Sequence, residues 1–224
     1  MMNRYAPAAM LPLILGAHAA LCQEACGGTE RWSVKVATDD GAGSIDTKHI
    51  QDASVVVLND IERPADAGRA GDTRLDPEKV VYRIKGFLRW VRTKEPDHDY
   101  HIVIADTADA PYANSSTAEP TGQSMVAESP NKDCLSGEHG DDPTNSRFVD
   151  RFGAVRDSLD CNLRASNSLD HMISVPVTIT GVLFFDFPHH QLGRAKNVAE
   201  LHPIVGIEFD DVASGCSNAP FNPS

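Results

Sequence analysis

The sequence predicts a mainly β domain, a five-stranded barrel with one helix between its third and fourth strands. Three observations carry this. From residue 80 onward, four segments alternate apolar and polar residues with period two, as half-buried strands do, and a short apolar segment, SMVAESP, adds a fifth strand. One segment between the third and fourth of these switches to helical spacing. Two of the strands carry a glycine at mid-length, Gly86 and Gly181, and such glycines mark bulges or bends at barrel corners.

Taken in order, ERWSVKVAT (residues 30–38) alternates Trp32, Val34 and Val36 with polar neighbours and predicts a strand additional to the barrel. Residues 39–54 are rich in Asp, Gly and Ser and predict loop. Val55 to Leu58 is a short apolar run. Residues 62–77 are charged and lack aromatics, which predicts a flexible stretch. Residues 20–79 therefore form an N-terminal extension.

VVYRIKGFLRWV (residues 80–91) is the first barrel strand, with Ile84, Leu88 and Trp90 on one parity. YHIVIAD (100–106) is the second, with Tyr100, Ile102 and Ile104 together. SMVAESP (124–130) is the third. In SRFVDRFGAVRDSLD, Phe148, Phe152, Val155 and Leu159 fall at spacings of four, three and four, one stripe of a helix capped by Ser146. VPVTITGVLFFDF (175–187) is the fourth strand. ELHPIVGIEFD (200–210) is the fifth; it sets Leu201, Pro203, Val205, Ile207 and Phe209 against Glu200 and His202. The order strand, strand, strand, helix, strand, strand is that of an OB-fold. The barrel domain spans residues 80–212 and a tail covers 213–224.

The chain opens MMNRYAPAAMLPLILGAHAALC. Arg4, a short apolar run and Ala17-His18-Ala19 predict a signal peptide over residues 1–19 and an exported protein, periplasmic or extracellular. The run is too short to span a bilayer. A formal charge of −12 over 224 residues repels phosphate backbones, so a nucleic-acid partner is disfavoured. Five cysteines in an exported chain predict disulfides. Bridges Cys26–Cys134 and Cys161–Cys216 would staple both tails to the barrel, with Cys22 left over, although four cysteines allow three pairings.

Chemistry concentrates in two places. In an OB barrel the loops after the first and fourth strands flank the ligand face. The first of these carries Asp97, His98 and Asp99, with His101 just beyond; the second carries His189, His190 and Gln191, flanked by Asp186, Glu200 and His202. Asp99, His101, Asp186, His189, Gln191 and Glu200 are the candidate ligand-binding residues. His189 and His202 are the candidate metal ligands, because imidazole with carboxylate suits a divalent ion such as zinc. The competing reading is structural: short polar side chains also hold turns and loops together. No G-x-S-x-G elbow, H-E-x-x-H pair or phosphate loop occurs in the sequence, which disfavours those enzyme classes.

The blocks ERWSVKVATDD, VVYRIKGFL, KEPDHDYHIVIAD, MVAESPNKDC and TGVLFFDFPHHQLGRAKNVAELHP resemble those of a family of uncharacterised exported bacterial proteins. Its last block reads G-x-x-F-F-D-x-x-H-G-Q-x-G-x-A-x-N-x-x-E-L-H-P. This chain departs from it at His190, where the pattern has glycine. The resemblance covers most of residues 26–210 and implies an exported protein with the fold read above; it implies no activity.

The reading that follows is a secreted, non-enzymatic OB-like binding module. It takes a small ligand, an envelope component or a protein partner through residues 94–101 and 186–202. The alternative is a metal-dependent hydrolase, of nuclease or phosphoesterase type, using the same histidines and acids. A third is a structural envelope-associated protein.

Overall fold

The computed structural model describes residues 31–95, 97–115, 117–132, 146–165 and 172–223. The expected signal peptide, Cys22, Cys26 and Cys134 lie outside the described residues. No helix among the described residues is long and apolar enough to cross a membrane.

The barrel strands are β2 (Val80–Arg92), β3 (Tyr100–Ala105), β4 (Ser124–Ser129), β5 (Met172–Phe185) and β6 (Ala199–Phe209). Strand β1 (Asp46–Ala53) is additional. The sheet runs β1-β2-β3-β4-β6-β5, and β5 returns to pair with β2, closing five strands into an OB-like barrel. All barrel pairings are antiparallel except β4 with β6. Helix α3 (Val149–Ala165) falls between β4 and β5, as the sequence predicts.

The interior is filled from every strand: Ile84, Leu88, Ile102, Ile104, Met125, Ile179, Leu201 and Ile207 form one buried cluster. Burial of each contributes about 1.5–3 kcal/mol. The α3 stripe divides. Val155 and Leu159, with Leu163, close the barrel interior. Phe148 and Phe152 pack outside it on Val81, Val182 and Val205. Ser146 accepts from the Phe148 amide at 3.2 Å and donates to the Val36 carbonyl at 2.6 Å, fixing the helix start to the N-terminal segment.

Both mid-strand glycines sit where backbones touch. A Cβ at Gly86 would meet the Ala105 carbonyl oxygen at 2.4 Å, and one at Gly181 would meet Leu201 Cβ at 2.9 Å. The β5–β6 register shifts on both sides of Gly181. These bulges break the predicted parity of β6: Leu201, Ile204 and Ile207 point inward, while Val205 joins the outer cluster. A similar shift between Leu88 and Trp90 brings Val91 into the core instead of Trp90. Trp90 is half-buried and meets the edge of His101.

The N-terminal extension differs most from expectation. Trp32–Lys35 is a single helical turn, α1, not a strand. Three alternating apolar residues cannot distinguish the two when all of them are buried against the barrel. The additional strand is β1 instead, in a stretch expected to be loop. It lies parallel to β2 with only Thr47 buried, so no apolar alternation announces it. The apolar run after it is helix α2 (Val55–Asn59), capped by Ser54. In the stretch 62–77, Ala67 and Leu75 pack on Leu183 and Phe185. Arg74 pairs with Asp39 at 2.6 Å, both side chains buried.

The disulfide Cys161–Cys216 ties the end of α3 to the C-terminal tail, as expected. The tail also adds a short bridge from Ala219 to Ile207.

Candidate functional site

The pleat builds the site. On β3, β4 and β6 the inward residues are Ile102, Met125, Ala127 and Leu201. Their neighbours His101, Glu128, Glu200 and His202 therefore point to the outer face. Register then aligns them: His101 lies opposite Glu128 across β3–β4, and Ala127 lies opposite Leu201 across β4–β6. One residue further, Glu128 faces His202. The outcome is a row His101–Glu128–His202 across three strands of the face on which OB barrels bind ligands.

His101 is tied at both nitrogens, to Glu128 at 3.0 Å and to the Leu192 carbonyl at 2.9 Å. The second bond joins the two loops singled out in the sequence. His202 lies between two carboxylates, with Nε2 3.2 Å from Asp99 and Nδ1 3.1 Å from Glu128. The distances are those of ion pairs, but neither contact meets hydrogen-bond geometry. Both nitrogens of His202 and both oxygens of Asp99 are buried without a hydrogen-bond partner.

A second group stands beside the first. Asp186, just past β5, bonds His189, and Gln191 donates to Glu200. Asp186 and Glu200 are buried, whereas the His189 side chain is 48 % exposed, so this group reaches solvent. Asp186 Oδ1 and Glu200 Oε2 lack hydrogen-bond partners. Lys35 enters from α1, its ammonium 3.9 Å from Asp186 and 5.6 Å from the centre of the Phe184 ring. Phe184 in turn meets the edge of His202. His190 is exposed and hydrogen-bonds none of these residues. Its backbone is outside the left-handed region, so a side chain at this position costs no backbone strain.

The electrostatics follow from four acids and few cations in a buried place. Burial and the charges of Asp186 and Glu128 push the Glu200 carboxyl well above its usual range. Burial also opposes ionisation of Glu128, but His101 and His202 outweigh it and hold that carboxyl well below the usual range. Asp186 is likewise held low against its burial, by His189 and Lys35. Desolvation lowers the affinity of His101 and His202 for a proton, yet their carboxylate neighbours raise both net. The Asp186 bond raises His189. Lys35 is driven above its ordinary value by Glu128, Asp186, Glu200 and Asp99 in spite of its burial.

All the expected ligand-binding residues, Asp99, His101, Asp186, His189, Gln191 and Glu200, thus come to one end of one face. The two expected metal histidines do not share a cluster. His202 groups with Asp99 and Glu128, and His189 with Asp186 and Glu200. Sequence reasoning missed Glu128 and Lys35. Counting parity forward from Met125 would have placed Glu128 outward; nothing in the sequence pointed to Lys35.

Fold and site together define an OB-like barrel carrying a buried histidine–carboxylate cluster on the outer face of β3, β4 and β6. No protein-family model, no curated protein and no solved structure matches this chain.

Proposed function

We propose that the protein is an OB-like binding module. Its site is the group Asp186, His189, Gln191 and Glu200, and its ligand is a small cationic or donor-rich group. One observation carries this reading. Asp186 Oδ1 and Glu200 Oε2 are buried oxygens without hydrogen-bond partners, the first with only the Lys35 ammonium at 3.9 Å, beside a histidine that solvent reaches. Buried acceptors left unpaired cost about 1–3 kcal/mol each, and a ligand bringing N–H donors or positive charge recovers that. Lys35 offers an internal example, an ammonium already drawn toward Asp186. The disulfide supports an oxidising compartment, and so an exported protein.

The second reading, a metal-dependent hydrolase, draws on the Asp186–His189 pair, which has the form of an acid/base couple.

NMR titration of the full chain separates the readings, followed at the His189 ring and the Gln191 side-chain amide. The probes are lysinamide, argininamide and zinc. Saturable shifts with a cationic probe, lost in Asp186→Asn, support the binding module. Shifts with zinc alone favour the hydrolase. No shift with any probe sinks both and leaves the polar group a loop-holding device.

A further inference from the structure

A group distinct from that mouth lies deeper, and its geometry suggests a different occupant. Asp99, Glu128 and His202 are each almost or wholly buried, at 0 %, 6 % and 0 % exposure. One ligand atom from each lies within 4.8 Å of the others. An acidic cluster alone would not call for an ion. Here, however, Asp99 Oδ1 is buried with neither a hydrogen bond nor an ion pair, and the His202 nitrogens face carboxylates without hydrogen-bond geometry; buried polar atoms are nearly always paired.

We propose that Asp99, Glu128 and His202 bind one divalent metal ion of the zinc class. Ligands about 2.1 Å from a tetrahedral ion stand roughly 3–3.5 Å apart. The contacts from the His202 ring are 3.2 Å from Nε2 to Asp99 and 3.1 Å from Nδ1 to Glu128, so one carboxylate oxygen stands at ligand spacing from whichever nitrogen takes the ion. A single ion draws on that nitrogen and one oxygen of each carboxylate, three atoms within 4.8 Å of one another. His101 has a supporting role: its bond to Glu128 at 3.0 Å fixes that carboxylate.

The donor set, one imidazole and two carboxylates, suits zinc, manganese or iron(II) and disfavours soft, thiolate-seeking ions. Charge argues the same way. Asp99 and Glu128 are two carboxylates in one buried place, and a divalent cation offsets them where an isolated buried charge is most costly. Because the group is closed to solvent, the ion would be taken up as the strands close, as structural sites are.

The test uses the full chain, stripped with chelator and titrated with cobalt(II) and zinc(II). One equivalent should bind and raise Tm. Affinity should fall about 100-fold or more in His202→Gln and in Asp99→Asn, with circular dichroism reporting whether each variant folds. Paramagnetic broadening by cobalt(II) in the unsubstituted protein locates the ion without any variant. Signals of residues 99, 128 and 202 should vanish before those of 186 and 189. Broadening centred on 186 and 189, with affinity lost in His189→Ala instead, would overturn the assignment and move the ion to the mouth. Failure to bind either metal would overturn it outright.

Discussion

Arg31 and Glu78 form a two-pronged ion pair in the interior, each guanidinium nitrogen 2.7 Å from its own carboxylate oxygen. Both side chains are almost fully buried. Glu78 also accepts from the amides of Leu75 and Phe185, at 2.8 and 2.9 Å. Arg31 donates to the Phe185 carbonyl at 3.1 Å and sits over the Phe184 ring. The pair thus pins the N-terminal segment to the end of β5, one residue before Asp186.

Removing one partner strands a buried charge. Glu78→Gln should therefore destabilise by about 3–5 kcal/mol, measured by urea unfolding. The double variant Arg31→Met, Glu78→Gln should recover part of that loss. A single variant costing under about 1 kcal/mol would show that the pair does not hold this end of the barrel.

Lys35 is the resident cation of the acid cluster. Lys35→Met should destabilise by about 3–5 kcal/mol at neutral pH. Its raised pKa means its contribution is whole below the ordinary 10.5 and fades only as pH rises through the higher folded value. Glu128 and Asp186 are held low, so what they contribute is present above ordinary carboxyl values and is lost as pH falls through their folded ones. The gap between variant and wild type should accordingly narrow in acid. A gap that stays constant from pH 7 to pH 3 would contradict the arrangement.

His189 should titrate above the ordinary 6.5, because the Asp186 bond favours its charged form more than partial burial opposes it. Its share of stability is whole below 6.5 and is lost as pH rises through the raised value. NMR of the ring carbon-bound protons in wild type and Asp186→Asn checks this. The variant's midpoint should fall; equal midpoints would mean that the pair does not form in solution.

Gly86→Ala should cost about 1–3 kcal/mol, because the new methyl meets the Ala105 carbonyl at 2.4 Å and β3 must move. Thermal unfolding reads it as a Tm drop of roughly 2–12 °C for a chain of this size. An unchanged Tm would show slack at this corner.

Opening Cys161–Cys216, which spans 55 residues of sequence, should destabilise by about 2–4 kcal/mol. Comparing the Cys161→Ala, Cys216→Ala protein with wild type by chemical denaturation measures it. A loss near zero would mean that the Ala219–Ile207 bridge and the rest of the tail hold without the covalent link.

The barrel was legible because its strands send alternate apolar side chains inward, which writes a period of two even on β3, β4 and β6, where the outer side is buried as well. Short or solvated segments escape that signal. Every residue of α1 is buried, so its short apolar alternation mimicked a strand. Strand β1 is nearly all solvated, so it read as loop. The bulges at Trp90 and Gly181 shift parity by one residue, and no local composition announces the slip. At the site, histidines and acids near the two loops stood out as polar residues beside apolar strands. Glu128 did not, because it is brought to His202 by register between strands far apart in sequence. Lys35 came from an element whose packing no local pattern could reveal.

The parallel join of β4 to β6 is brief, with Val126 opposite Glu200 and Ala127 opposite Leu201. Immediately beyond it stands the row from His101 through Glu128 to His202. The ring of strands is therefore closed by a clasp as much as by a ladder. An ordinary seam depends on backbone hydrogen bonds that care little about the medium. This one also leans on buried side chains that titrate, so acidity bears on how firmly the barrel is fastened.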